Sequence, residues 1–270
     1  MEKIPKVIHY IWFGGNPLPE LAQKCIESWK KYCPDYEIIE WNEKNFDIHC
    51  CPYAEEAYEA KKWAFVSDIA RFIILKKYGG LYFDTDVEII RSIDPIVGNG
   101  AFMAQEADGY CAPGLAIGVT PDNPVINEIV DYYYDQHFLK KDGSFDLTTV
   151  VIKVSEILKK HGFDNNVYDK IQIADGLLIY PPEYFCPKNY ITKEMNITDN
   201  TISIHHYDGS WLPPSVKYYE KLKAKYLKYL PYPLASAIAR YRSLIRYSGI
   251  IGGNKETLKW IIDKIKGKYK

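Results

Sequence analysis

Apolar positions along the chain fall alternately into short runs and helical stripes. Val7 to Phe13 is rich in β-formers and closes on Gly14-Gly15, which predicts a buried first strand running into a loop. From Pro19 to Tyr32, Leu21, Cys25, Ile26 and Trp29 recur at helical spacing, and Tyr36 to Trp41 reads as a second strand. Pro52 to Tyr78 is helical in character and is expected as two helices; Phe65, Ile69, Phe72, Ile73 and Lys76 mark one stripe of the second. Gly79-Gly80 should stop that helix, because glycine takes the left-handed cap conformation at little cost. Leu81 to Phe83 is then a short strand, with Asp84-Thr85-Asp86 at its exit. Farther on, the pattern predicts a strand and a turn before Pro124, a helix from Val125 to Tyr134, and short strands at Asp175–Tyr180 and Ile202–His206. Strand, helix and strand in alternation argue an α/β fold with a largely parallel sheet. Such sheets take ligands at the carboxyl ends of their strands, where Asp84-Thr85-Asp86 would lie.

Composition narrows the class. The 270 residues fit one domain with an appendage, or two small domains, and 47% apolar with 26% charged residues excludes a disordered chain, a collagen or a coiled coil. No apolar run approaches the roughly 20 residues of a membrane span. The six cysteines, Cys25, Cys33, Cys50, Cys51, Cys111 and Cys186, form no C-x-x-C pair. Pro5, Lys6 and His9 interrupt the N-terminal apolar stretch, so no signal peptide is expected and the thiols read as free in a reducing cytosol. The formal net charge of -1 hides an asymmetry. Val216 to Lys270 holds 14 Lys/Arg against 3 Asp/Glu, leaving 20 basic and 32 acidic residues before it. The expected division is therefore an acidic body, 1–215, and a basic tail, 216–270.

Four constellations carry candidate chemistry. Asp84 and Asp86 are two apart, and in an extended strand they would project on one face. Two carboxylates pointing the same way repel unless a cation sits between them, and Mg²⁺ or Mn²⁺ shares such ligands with substrate phosphates. Surface acid pairs are common, but this one follows an apolar strand. Asp68 and Arg71 stand at i and i+3 on one helix face: a local ion pair, or a clamp whose carboxylate accepts sugar hydroxyls and whose guanidinium neutralises phosphate. His205-His206 precede Tyr207-Asp208-Gly209-Ser210-Trp211 and can be core, surface or metal-completing residues. Trp12, at a strand end before Gly14-Gly15, is either a core residue or a platform for a nucleobase.

These residues together resemble a family 32 glycosyltransferase, a group that includes bacterial capsular polysaccharide transferases and yeast mannosyltransferases and is related to clostridial glucosylating toxins. The segments that carry the resemblance are IPKVIHYIWFGG, WNEKNFD from Trp41, the S-D-x-x-R and Y-G-G-x-Y-x-D-x-D block, and HHYDGSW, spanning Ile4 to Trp211. The resemblance implies a GT-A type α/β fold with a mixed sheet, a D-x-D site and retention of anomeric configuration. It implies that a hexose moves from a nucleotide diphosphate sugar to a saccharide or lipid-linked acceptor in polysaccharide or glycolipid synthesis. UDP-hexose is the expected donor and GDP-mannose the other candidate; Mn²⁺ or Mg²⁺ is the implied cofactor. Trp12 would stack on the base beside the Ile11 backbone, with Asn42 near the nucleoside. Ser67, Asp68 and Arg71 would hold the donor, and Tyr82 and Asp84 would contact ribose or sugar. Asp86 would bind metal together with Asp84 and His206, and Ser210 and Trp211 would close over the diphosphate. The toxins carry a glutamate where this chain has His205-His206, so the atom completing the metal shell stays open, and no residue stands out as a carboxylate nucleophile. A metal-dependent nucleotidyltransferase and a non-catalytic sugar-nucleotide-binding module are the competing readings.

The basic tail reads as helices. In Val216–Leu230, Tyr219, Leu222, Tyr226 and Leu230 share one face, and Lys217, Lys221, Lys225 and Lys228 another. Pro231-Tyr232-Pro233 breaks this helix; Leu234 to Tyr247 carries Arg240, Arg242 and Arg246. After Gly252-Gly253, Asn254 is expected to cap a last helix with Leu258, Ile261, Ile262 and Ile265 inward. Such helices either pack on the body with solvated charges or lie on an anionic membrane. The basic-amphipathic pattern favours the membrane, placing the chain peripherally on its cytoplasmic face, with nucleic acid set aside.

Overall fold

The structure is a computed structural model that describes residues 3–189, 194–209 and 212–265, with side chains described through residue 249. It divides into two compact units, one of Met1–Lys188 and Met195–Tyr207, the other of Asn189–Glu194 and Asp208–Lys270.

In the first unit the chain order is β1 (Val7–Ile11), α1 (Glu20–Tyr32), β2 (Glu37–Trp41), α2 (Pro52–Glu59), α3 (Trp63–Tyr78), β3 (Gly80–Tyr82), β4 (Val87–Ile89), α4 (Asp94–Val97), β5 (Phe102–Ala104), β6 (Ile117–Val119), α5 (Pro124–Tyr134), α6 (Val150–Lys159), β7 (Gln172–Ala174), β8 (Leu177–Tyr180), α7 (Pro182–Phe185) and β9 (Ser203–His205). Seven strands form one mixed sheet in the order β2-β1-β3-β6-β5-β8-β7. β2, β1 and β3 run parallel, with Ile8 opposite both Ile38 and Leu81. β6 is antiparallel to β3 and β5, β5 and β8 are parallel, and β7 closes the edge antiparallel to β8. This is the α/β architecture with a mixed sheet that the sequence led us to expect.

Period-2 alternation sends neighbouring strand residues to opposite layers. Tyr82 and Met103 join Val66, Ile69, Phe72, Ile129 and Val154 from α3, α5 and α6 on one face. Leu81, Phe102 and Ala104 join Cys25, Trp29, Ile96 and Phe185 from α1, α4 and α7 on the other. The helices α4, α6 and α7 and the strands β4, β5 and β7 carry no expectation from the sequence; the remaining body elements do.

The junction of α3 and β3 is set by Gly79 and Gly80. Gly79 takes φ +61 and donates its N–H to the Leu75 carbonyl at 2.9 Å, ending the helix. A Cβ there would fall 2.6 Å from Pro121, and one on Gly80 would fall 2.8 Å from the Val7 carbonyl, so the crossing to β1 excludes any side chain. The strand that follows is short. β3 ends at Tyr82, and the Val87 N–H donates to the Asp84 carbonyl at 3.1 Å, closing a four-residue turn. Asp84 and Asp86 therefore sit in a turn, and the expectation of two carboxylates on one strand face is corrected: period-2 alternation ends before them.

In the second unit, α8 (Pro214–Leu227) and α9 (Tyr232–Ile265) form a helical hairpin, with α9 interrupted at Gly249. The expected break at Gly252-Gly253 thus lies three residues earlier, where glycine takes φ +71. Residues 250–265 continue as helix, and the expectations for Asn254, Leu258, Ile261, Ile262 and Ile265 fall on side chains outside the description.

Candidate active site

Asp68 and Arg71 lie one turn apart on α3 and meet as their spacing requires: Arg71 Nη2 donates to Asp68 Oδ1 at 3.0 Å. The guanidinium is then fixed from three further sides. Nε donates to the Ser67 carbonyl at 3.0 Å, Nη1 stands 3.4 Å from Asp84 Oδ1, and the group lies 4.8 Å from the centre of the Tyr82 ring. Tyr82 donates its hydroxyl to the same Asp84 oxygen at 2.8 Å. One buried cation thus bridges two carboxylates, one on a helix and one in the turn after β3. Among the described residues Arg71 Nη1 makes no hydrogen bond, leaving a buried donor aimed at the Asp84 side of the cluster.

The electrostatics follow from burial. Asp68 is 8% exposed, and desolvation pushes its carboxyl up to about 6, against the pull of Arg71, of Lys153 and of the Val150 N–H at the start of α6. Burial also raises the Tyr82 hydroxyl well above its usual value and keeps it a donor to Asp84. Gly114, in the segment before β6, completes the cradle: its carbonyl accepts the Asp84 N–H at 2.9 Å.

Asp86 faces a different set of groups. Its carboxylate lies 3.3 Å from His205 Nε2, at the end of β9. The two residues are brought together by the β4–β9 ladder, which places Val87 opposite His205 and lets the His206 N–H donate to the Asp86 carbonyl at 3.0 Å. Burial alone would lower the His205 pKa, but Asp86, with a further push from Cys186, more than reverses this and raises it well above 6.5. The His206 side chain reaches Glu88 Oε2 at 2.7 Å, so of the paired histidines His205 is the one beside the Asp86 carboxylate. Glu106, on the loop after β5, has no motif around it and went unread in the sequence. Burial pushes its carboxyl up to about 7, against the pull of His205, with Asp108 and Asp84 as its acidic neighbours.

The other candidates occupy the carboxyl ends of β1 and β2. Trp12 is half-buried, donates its indole N–H to the Asn16 carbonyl at 2.6 Å, and is joined to β2 by its backbone N–H on the Trp41 carbonyl. The Ile11 side chain is buried in the core, so only its backbone can face a ligand. Asn42 donates to Glu40 Oε1 at 2.8 Å, and Ser67 turns its hydroxyl back to the Trp63 carbonyl at 3.0 Å. The structure therefore joins Asp68, Arg71, Tyr82 and Asp84 in one cluster, and joins Asp86 to His205. Ser210 and Trp211 lie outside the described residues. Among the described residues no three His, Cys, Asp or Glu side chains converge as a protein-only metal cage would require.

Residues 19–103, from the approach to α1 into β5, match the family described as glycosyltransferase sugar-binding region containing DXD motif. The chain carries Asp68, Arg71, Tyr82, Asp84 and Asp86 within this stretch. It is 29% identical over 143 residues to inositol phosphoceramide mannosyltransferase 1 of Schizosaccharomyces pombe, covering 48% of this chain and 43% of that protein. It is 27% identical over 229 residues to an uncharacterized glycosyltransferase of Acanthamoeba polyphaga mimivirus, covering 78% of this chain and 84% of that one. Among solved structures, PaToxG glycosyltransferase superposes with a TM-score of 0.45 at 24% identity, over 59% of this chain and 70% of that chain. The chain thus spans less than half the length of the fission-yeast relative.

Proposed function

We propose that this chain is a retaining, metal-dependent hexosyltransferase that draws its sugar from a nucleotide diphosphate donor. The observation that carries the reading is the buried Arg71 held between Asp68 and Asp84, with Tyr82 beneath it, inside a D-x-D sugar-binding region. Carboxylate oxygens fixed in this way accept sugar hydroxyls in a set geometry. Fixed orientation of a reacting sugar can lower the barrier by several kcal/mol. Trp12 offers its ring to the base, with Asn42 beside it at the end of β2, and Ser210 and Trp211 are the proposed closing residues.

The donor set suits a hard cation only partly held by protein. Asp86 supplies a carboxylate beside His205, with Asp84 on the same turn and His206 just past β9; these residues would hold Mn²⁺ or Mg²⁺ in part and would leave room for diphosphate and water as further ligands. When bound, such an ion neutralises the charge that builds on the leaving diphosphate. With no residue placed as a nucleophile, the acceptor hydroxyl attacks the anomeric carbon from the face that the diphosphate leaves. An oxygen–carbon bond forms, the carbon–phosphate-oxygen bond breaks, and the proton passes to the departing diphosphate.

UDP-hexose remains the first donor to test. The fission-yeast relative's name, which specifies mannosyl transfer to an inositol phosphoceramide, supports GDP-mannose as the second and a lipid-linked acceptor. Among the described residues no helix is long and apolar enough to cross a membrane. The basic segment 216–270 is the proposed contact with an anionic bilayer, at which the acceptor is presented on the cytoplasmic face.

The test is a panel of UDP-glucose, UDP-galactose, UDP-GlcNAc and GDP-mannose with Mn²⁺, using wild type and Asp86→Asn. Mn²⁺-dependent hydrolysis of one donor by wild type alone is the expected result. Equal behaviour of the two proteins defeats the metal assignment. Pyrophosphate release from a nucleoside triphosphate would make the chain a nucleotidyltransferase, and donor binding without turnover would make it a binding module.

A further inference from the structure

We propose that the α8–α9 hairpin meets an anionic lipid bilayer with its tip, residues 228–234. This rests on the membrane reading of the basic segment and says where on that segment the contact lies.

The apolar face of α8 is already occupied. Leu222 is buried, the Tyr219 hydroxyl lies 2.9 Å from Ser236 Oγ, and Arg242 donates to the Tyr226 hydroxyl at 2.6 Å. These residues turn toward α9, so α8 cannot lie flat with that face in lipid. Among the described residues the hairpin's most exposed large apolar side chains lie at its end: Tyr229 is 80% exposed, Tyr232 51% and Leu234 49%, ahead of Tyr247 at 47% and Tyr241 at 40% on α9. Tyrosines with an apolar ring and a polar tip suit the boundary between headgroups and hydrocarbon.

Most of the backbone N–H groups at the tip are already engaged. Bare N–H groups oppose entry into an apolar surround. Here the N–H groups of Tyr229 and Leu230 are taken by the Tyr226 carbonyl, and those of Leu234 and Ala235 by the Pro231 carbonyl. Positions 231 and 233 are prolines and have none.

Charge points the same way. Lys221, Lys225 and Lys228 are exposed at i, i+4 and i+7 on α8 and its cap, and among the described residues none has a carboxylate within ion-pair distance. The other cations are engaged: Lys217 lies 3.3 Å from Asp208, Lys223 is buried 2.7 Å from Glu220, and Arg246 stacks 4.5 Å over the Tyr218 ring. At a 1.5 Å rise per residue, the three free lysines span only about 10 Å, roughly one Debye length from a surface that the tip touches.

The experiment is flotation of the full chain with vesicles of phosphatidylcholine alone and of phosphatidylcholine mixed with phosphatidylglycerol. Three proteins are compared: wild type, Tyr229→Ser/Tyr232→Ser/Leu234→Ser, and Lys221→Gln/Lys225→Gln/Lys228→Gln. Circular dichroism and the thermal midpoint verify folding. Wild type should float with the anionic vesicles only. The tip variant should bind about 10-fold more weakly, and the lysine variant about 100-fold more weakly at low salt, with little remaining salt dependence. A tip variant that floats like wild type overturns the tip assignment and leaves the membrane reading standing. Wild type that floats with neither vesicle overturns both. A concentration-dependent dimer that the tip variant abolishes, without vesicle binding, makes the tip a self-association surface and overturns the lipid assignment.

Discussion

The Gly114 carbonyl accepts the Asp84 N–H at 2.9 Å, and a Cβ on Gly114 would stand 2.0 Å from Asp84 Oδ2 and 3.3 Å from Arg71 Nη1. The first of the D-x-D carboxylates is thus seated against a backbone position that tolerates no side chain. Gly114→Ala should push that carboxylate off the Tyr82 hydroxyl and the Arg71 guanidinium while leaving the fold intact. A displacement near 1 Å at a positioning group costs about 100-fold in rate, so kcat/KM for donor hydrolysis should fall by about that factor with far-UV circular dichroism unchanged. Wild-type turnover in this variant would show that Asp84 needs no such seat.

Asp68 supplies a pH signature of stability. Its carboxyl is raised by burial from 3.8 to about 6, so in the native state it holds its proton across a range where the unfolded chain has released it. The stability it contributes is complete below the unfolded pKa and is lost as pH rises through about 6. The loss amounts to roughly 3 kcal/mol. Urea unfolding of metal-free wild type and Asp68→Asn, from about pH 4 to about pH 7, measures it. The wild-type curve should fall relative to the variant across that window; parallel curves would show that Asp68 is ionised throughout.

Asp86 and His205 supply a metal signature. Chelation should abolish donor hydrolysis, and added Mn²⁺ should restore it. Asp86→Asn should remove the metal response entirely. His205→Gln takes away the group 3.3 Å from that carboxylate and should raise the Mn²⁺ concentration for half-maximal rate about 10- to 100-fold. His206→Gln, whose side chain meets Glu88, should raise it less. The reverse order of the two histidines would make His206 the metal-completing residue.

Local relationships were legible in the sequence, and relationships across long sequence separations were not. The i, i+3 spacing of Asp68 and Arg71 dictates their contact wherever the helix forms, and Gly79-Gly80 announces the end of α3. The acid pair misled at the level of geometry: a strand long enough to align Asp84 with Asp86 was assumed, but β3 stops at Tyr82 and the two side chains part. Gly114 and Glu106 reach the cluster only through tertiary pairing, and neither has a local pattern that declares it; the His205-His206 pair is visible in the sequence, but only the β4–β9 pairing puts His205 beside Asp86. The helix α6 mixes Lys153, Ser155, Glu156 and Lys159 with its apolar positions and carries no expectation from the sequence. In the tail, periodicity correctly grouped Tyr219, Leu222 and Tyr226 on one face. It could not say whether that face meets lipid or another helix, because both partners select the same pattern.

Lys153 makes the last prediction. It is 5% exposed, its Nζ lies 2.7 Å from Asp146 Oδ2 and 3.3 Å from the Tyr53 hydroxyl, and it stands over the Tyr53 and Tyr133 rings at 4.3 and 5.1 Å. A buried ammonium persists only when it is paired in this way, and removing one member leaves the other partly buried without its partner. Lys153→Ala also opens space beside two aromatic rings, so it should destabilise by about 3 to 5 kcal/mol in urea unfolding. Lys153→Met fills most of the same volume without charge and should lose less than half as much. The Lys153 charge is also one of those that hold the Asp68 carboxyl down. Both variants should therefore move the pH-dependent loss of stability assigned to Asp68 to higher pH. Equal losses in the two variants, with no movement of that window, would show that Lys153 acts through packing at the α6 surface and not through its charge.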